Sequence, residues 1–187
     1  LEFDGKILKE MIRKTFFSVS PDETRQALNG LLLESEGDSV NLVGTDGHRL
    51  AMITRPVKSN VAKGESLSFL LPKKALSELL KLTEDEDATF GFSSQENHLA
   101  FICANQVIVS RKIDGKFPNY RQVIPADNNL KAKANKNDLT HALKRVALLA
   151  DEKSKMVRFE IRKGNLTLVS DNTDLGAAVE EMPIEYE

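Results

Sequence analysis

The sequence predicts an α+β fold. Three features carry this: apolar stripes at helical spacing, short runs of strand-forming residues between them, and a second pass through the same order of elements. Ile7, Leu8, Met11, Ile12 and Phe16 recur three and four residues apart and predict a helix over 5–18, with Asp4 as its cap. Ser20-Pro21-Asp22-Glu23 reads as a loop. Three strands are predicted next, at 27–34, 40–45 and 49–54, the first two joined through Glu36-Gly37-Asp38. A polar loop over 58–65 leads to a strand at 67–71 that Pro72 ends. A second helix follows over 73–82, with Leu76, Leu79 and Leu80 inward. After an acidic turn, Glu84-Asp85-Glu86-Asp87, come strands at 88–92, 98–103 and 106–112. The stretch Asp114 to Pro125, with two prolines and a glycine, is a connector.

The order then restarts. A strand is predicted at 130–134 and a helix from a cap at Asn137 or Asp138 to about Ala150, with Leu139, Leu143, Val146 and Leu149 inward. A loop at 151–155 and strands at 157–161, 166–170 and 177–186 complete the chain. Asn41-Leu42-Val43-Gly44-Thr45-Asp46 aligns with Thr167-Leu168-Val169-Ser170-Asp171-Asn172, at an offset of 126 residues. The expectation is one complete domain, 1–125, followed by a truncated copy, 126–187. With no initiator Met at Leu1 and no counterpart to the second helix after Glu187, the chain reads as a fragment.

Hydrophobic residues make up 41% and charged residues 29%, which excludes disordered and collagen-like classes. No apolar run reaches the roughly 18 residues that span a bilayer, and no signal peptide is visible. The single cysteine, Cys103, cannot close an internal disulfide. In an apolar strand it reads as a small buried hydrophobe, with a reactive thiol as the alternative that no adjacent His or Lys supports.

Net charge is −2, which by itself argues against tight non-specific nucleic-acid binding. Its distribution points the other way. The first helix carries Lys6, Lys9, Arg13 and Lys14 against Glu10. The second carries Lys73, Lys74 and Lys81 against Glu78, and the third Lys136, Lys144 and Arg145 against Asp138. Lysines that merely solvate exposed faces are one reading. The other is a shared cationic surface, made of Lys6, Lys9, Arg13, Lys73, Lys74, Lys136 and Lys144, that faces a phosphate backbone. Contact of that kind is weak, salt-sensitive and indifferent to base sequence.

Gly44-Thr45-Asp46-Gly47-His48-Arg49-Leu50-Ala51 closely resembles a signature in the middle domain of bacterial beta sliding clamps. Ile113 to Pro125, containing Asp114-Gly115-Lys116-Phe117-Pro118-Asn119-Tyr120-Arg121, resembles the segment joining that family's second and third domains, and Ala27-Leu28-Asn29-Gly30 matches as well. The resemblance covers the whole chain. It implies a DNA-clamp fold of repeated domains, each with two helices packed on small antiparallel sheets. It also implies a head-to-tail homodimer ring around double-stranded DNA, in the bacterial cytoplasm and without a membrane role. The implied protein is a non-catalytic processivity factor of the replicative polymerase. The polymerase subunit, the clamp loader and repair polymerases would dock through short peptides in a cleft.

Carried over by that resemblance, Leu28, Thr45, Gly47, His48, Arg49, Leu50, Pro118, Gln122 and Val123 belong to the peptide cleft, with Gln122 where some members have Arg. The expectation is that they converge at the junction of the two units. No cofactor is implied. His48 beside Asp46 raises metal binding or catalysis, but His48, His98 and His141 are scattered and Cys103 has no companion, whereas a metal site needs converging ligands. Asp46 before Gly47 reads as a turn-former, and no clustered carboxylates suggest two-metal chemistry. The competing functional reading is a protein-interaction module of duplicated α+β domains with no DNA role.

Overall fold

The computed structural model describes residues 1–58, 66–83, 88–125, 128–151 and 154–186. The predicted turn at 84–87 and most of the predicted loop at 58–65 lie outside them. The chain divides into two compact units, Leu1–Ile124 and Pro125–Glu187.

In the first unit, helix α1 (Gly5–Thr15) begins where the Asp4 carboxylate accepts from the amides of Lys6 (2.8 Å) and Ile7 (3.3 Å). Two of the orphan donors of the first turn are thereby satisfied. A 3-10 turn, Phe16–Ser18, tightens its end. There the Thr15 hydroxyl donates back to the Met11 carbonyl (2.8 Å) and Ser18 Oγ to the Thr15 carbonyl (2.6 Å). Helix α2 spans Lys73–Leu82, as the sequence predicts, with Leu76 and Leu79 fully buried and Leu80 half-buried.

Two antiparallel four-stranded sheets receive these helices. One is ordered β1 (Glu2–Asp4), β6 (Thr89–Gln95), β7 (His98–Cys103), β8 (Gln106–Arg111). The other is ordered β4 (Leu50–Pro56), β3 (Ser39–Thr45), β2 (Gly30–Glu36), β5 (Ser66–Pro72). Alternation along β2 sends Leu31 and Leu33 into the core shared with both helices, together with Phe3, Ile12, Phe90 and Phe101. Leu32 falls in a separate cluster with Val43, Leu70, Phe117 and Tyr120. Each such side chain, fully buried, contributes about 1.5–3 kcal/mol of transfer free energy.

Two boundaries differ from expectation. The strand predicted from Ala27 starts at Gly30, because Gln26–Leu28 forms a 3-10 turn. The Asn29 side chain donates to the Ser20 carbonyl (3.1 Å) and the Ser20 amide to the Leu28 carbonyl (2.9 Å), so these local bonds take the place of ladder bonds. The strand predicted from Arg49 starts at Leu50.

The Glu10 carboxylate fastens α1 to β4. It accepts from Arg55 Nε and Nη2 (both 2.9 Å) and from Lys14 Nζ (2.6 Å). The hydrogen bonds from Arg55, then from Lys14, hold its pKa at about 2, down from 4.5. A depressed carboxyl stabilises the fold above its unfolded value, and that contribution is lost as pH falls through the folded one. Glu10→Gln is therefore expected to melt below the parent at pH 6 and together with it near pH 2. Paired thermal melts check this, and an equal gap at both pH values would count against the assignment.

In the second unit, helix α3 (Lys136–Val146) is capped by Asn135, not by the expected Asn137 or Asp138, which lie two and three residues later: its side chain accepts from the amides of those two residues, at 2.9 and 3.3 Å. Residues 130–134 do not form the predicted strand; Lys133 makes one isolated bridge to Glu185. Strands β9 (Arg158–Arg162), β10 (Asn165–Asn172) and β11 (Gly176–Pro183) pair antiparallel with β10 central. Ala142, Val146, Leu166, Leu168, Met182 and Ile184 form the core, with Leu139 and Leu143 partly buried against it.

The repeat is structural as well as sequential. Both β3 and β10 are flanked by their chain neighbours, and Ser39 and Asn165 open them at the predicted offset of 126 residues. A helix-to-strand ion pair also recurs with its polarity exchanged: Glu10 to Arg55 in the first unit, Arg145 to Glu180 in the second.

Candidate functional site

The loop between β3 and β4 is shaped by its own side chains. Thr45 and Leu50 are the last paired residues of the two strands. Across the gap, Asp46 Oδ1 accepts from the amides of His48 and Arg49, both at 3.0 Å, and Oδ2 accepts from Arg49 Nε at 3.0 Å. Burial pushes the Asp46 carboxyl up, but these hydrogen bonds, from the His48 amide first, outweigh it and leave the carboxyl below its ordinary value. Thr45 Oγ1 accepts from the Gly47 amide (3.1 Å) and donates to the Arg49 carbonyl (2.7 Å). Gly47 has φ +93°, a conformation in which L side chains are strained, and the Arg25 guanidinium stands beside it. Asp46 is thus the turn-former expected of it, and His48 and Arg49 project from a loop with a defined shape.

The connector supplies the opposite wall. Phe117 and Tyr120 are buried against Leu32, Val43 and Leu70, with their ring centroids 6.4 Å apart. The Tyr120 hydroxyl donates to Glu34 Oε2 at 2.6 Å. Burial, then that bond, pushes the phenol up to about 12, so it stays a donor. These anchors set the 3-10 turn Tyr120–Val123, which leaves the Val123 side chain 69% exposed.

Between loop and connector lies a depression of about 430 Å3. Thr45, Gly47, His48, Arg49 and Leu50 line it from the loop, and Pro118 and Val123 from the connector. Seven of the nine residues predicted for the cleft therefore converge from two distant stretches. Leu28 and Gln122 are not among the lining. Leu28 sits in its 3-10 turn, partly buried against the cluster under Phe117 and Tyr120, because the strand that would have carried it starts later. Gln122 is exposed. Asn119 and Tyr120 line the depression without having been anticipated. The one available signal was the lone aromatic between Pro118 and Val123. All the lining belongs to the first unit. Beside it, the Arg49 guanidinium lies 5.6 Å from the ring centroid of Phe17, a side chain 57% exposed.

The lining combines apolar walls from Leu50, Pro118 and Val123 with a hydroxyl, an imidazole and a guanidinium, the mix found in ligand-binding clefts. Among the described residues no group of three or more His, Cys, Asp or Glu could hold a metal ion. Cys103 is partly buried against the main core.

The predicted cationic residues sit on helix surfaces. Lys6 and Arg13 are exposed and Lys9 half-buried on α1, while Lys73, Lys74, Lys136 and Lys144 are exposed on α2 and α3. Lys6, Lys73, Lys74 and Lys136 stand in first turns, against what helix stability favours, whereas Arg13 and Lys144 stand in last turns, where the macrodipole favours them. Neither α1 nor α2 has an acid in its first turn, and α2 opens on two lysines. The macrodipole disfavours cations there by about 0.3–1 kcal/mol each, while the same helix end attracts external anions.

Known proteins resemble the chain along its whole length. The chain is 35% identical over 179 residues to the beta sliding clamp of Chlamydia pneumoniae, covering 96% of this chain and 48% of that protein. It is 32% identical over 185 residues to the beta sliding clamp of Haemophilus influenzae, covering 99% and 50%. The crystal structure of a sliding clamp from Pseudomonas aeruginosa bound to griselimycin matches with a TM-score of 0.93 at 29% identity, covering 100% of this chain and 50% of that one. The chain thus spans about half the length of the relatives it matches. Residues 2–119 match the central domain of the DNA polymerase III beta subunit and residues 121–187 its C-terminal domain, and the chain belongs to that family.

Proposed function

We propose that this chain is part of a sliding clamp, an accessory subunit that rings duplex DNA and tethers a polymerase without chemistry of its own. In this reading residues 1–125 are a complete clamp domain. Residues 126–187 are the first half of another, which accords with the exposure of Phe159 and Ile161 on β9 and of Val179 on β11. The full-length protein closes head to tail with a second copy, and the lysines of α1, α2 and α3 face the phosphates. Partner peptides of the replicative polymerase, the clamp loader and repair polymerases dock in the depression between the β3–β4 loop and the connector. Griselimycin, which a sliding clamp of Pseudomonas aeruginosa binds, is taken as the probe of this depression.

The observation that carries the DNA reading is the basic first turn of α2, where Lys73 and Lys74 stand against the macrodipole in a chain of net charge −2. The test is elution from heparin and from a duplex-DNA column. The parent is expected to be retained at low salt and released above moderate salt. Lys73→Glu with Lys74→Glu should elute earlier and lower the slope of log affinity against log salt by about two. Elution indifferent to both salt and charge reversal would favour the interaction module with no DNA role.

A further inference from the structure

The geometry points to a second docking site on the first unit, for an acidic and partly apolar peptide segment of a protein partner. A depression of about 590 Å3 lies over β2 and β5, within the roughly 300–1,000 Å3 of ligand-binding clefts. Pro118, Asn119 and Tyr120 line both this depression and the first, so they form a shared ridge. The accessible apolar lining comes from Phe69, Ile113 and Pro118, with Leu32, Leu70 and Phe117 buried beside them. The rim is cationic, from Lys112, Lys116 and Arg121. Glu34 is the one acid in the lining, and its carboxylate is engaged: it accepts from the Tyr120 hydroxyl at 2.6 Å and faces Arg121 Nη2 at 3.4 Å.

Three cations against one engaged carboxylate is a local surplus of positive charge in an acidic chain. Complementarity then selects carboxylates, and the apolar lining selects an apolar side chain between them. Duplex DNA would meet the charge and leave the apolar lining uncovered, which is why a peptide fits better. Part of the rim is already ordered. The Lys112 ammonium lies 4.9 Å from the Phe69 ring centroid and donates to the Glu96 carbonyl, so less freedom is lost when a ligand arrives.

The probes are two fluorescein-labelled hexapeptides, Leu-Phe-Asp-Leu-Asp-Asp and its counterpart with lysine for each aspartate, titrated into the full chain by anisotropy. The aspartate peptide is expected to bind about tenfold tighter at low salt and to lose that margin as salt screens it. Lys112→Glu and Lys116→Glu should each weaken it about fivefold, the reversal of one exposed pair. Lys116 is exposed, so its variant does not depend on the fold surviving a core change. Amide shifts should appear at Lys112, Lys116 and Arg121, and saturating griselimycin should leave the affinity within twofold. Equal binding of the two peptides would overturn the proposal. So would displacement by griselimycin with no loss in Lys116→Glu, which places the peptide in the first depression, or displacement by a short duplex that shifts the same amides. Failure of griselimycin to bind would count against the first site alone, because the charge-reversal arms read the second independently.

Discussion

Gly44→Ser is expected to destabilise the first unit by about 3 kcal/mol, the upper part of the range for overpacking a filled interior. Gly44 lies in β3 where that strand crosses the end of α1. A Cβ there would stand 2.4 Å from Ser18 Oγ, 2.6 Å from Leu31 Cδ2 and 3.0 Å from the Thr15 carbonyl oxygen. Leu31 is fully buried and Thr15 offers backbone, so only Ser18 can give way. The second unit shows what giving way looks like. At the offset of 126 residues the position of Gly44 is held by Ser170, and Ser170 Oγ itself donates to the Val146 carbonyl at the end of α3, at 2.7 Å. In the first unit the same service to the end of α1 is done by Ser18 at 2.6 Å. The two copies solve one problem, an orphan helix carbonyl over a crossing strand, from opposite sides. Ser18→Ala combined with Gly44→Ser moves the hydroxyl to the second unit's arrangement and is expected to recover about 1 kcal/mol relative to the sum of the single changes. Urea denaturation of the four proteins measures the cycle. Strict additivity would show that the two positions do not share the space.

Leu50→Asp is expected to weaken ligand binding at the proposed docking site by about 100-fold, with griselimycin as the probe. Leu50 is half-buried in the wall of the depression and packs against the cluster under Phe117 and Tyr120. An aspartate there removes an apolar anchor and places a charge where the partner's own apolar group would sit, and losses at such central positions run to about 2–4 kcal/mol. Leu28→Asp tests whether Leu28 belongs to the docking site. Leu28 lies in the cluster but not in the lining, so its replacement should lower the melting temperature and weaken binding only as the connector loosens. Calorimetric titration beside a thermal melt separates the two. Unchanged affinity in Leu50→Asp would remove the site assignment and leave the family membership untouched.

What was legible in the sequence is what local chemistry dictates. Asp4 before an apolar stripe specified the start of α1, because a carboxylate can satisfy helix-end amides wherever the rest of the chain lies. Pro72 before Lys73 located α2 to the residue. The Thr45–Leu50 signature carried its own loop, since Asp46 and Thr45 bond within the segment. The offset between Val43 and Val169 was legible because β3 and β10 are inner strands of their sheets, largely buried and therefore constrained in pattern. Only the tertiary structure decided the rest. Leu28 left the predicted strand because Ser20 and Asn29, nine residues apart, bond to each other's neighbourhood and hold a 3-10 turn. Residues 130–134 alternate like a strand but found a single bridge at Lys133, because an alternating pattern names a face and cannot supply the partner strand. Tyr120 became the wall between two depressions through Glu34, 86 residues away. No periodicity encodes that distance; the sheet that brings β2 beneath the connector does.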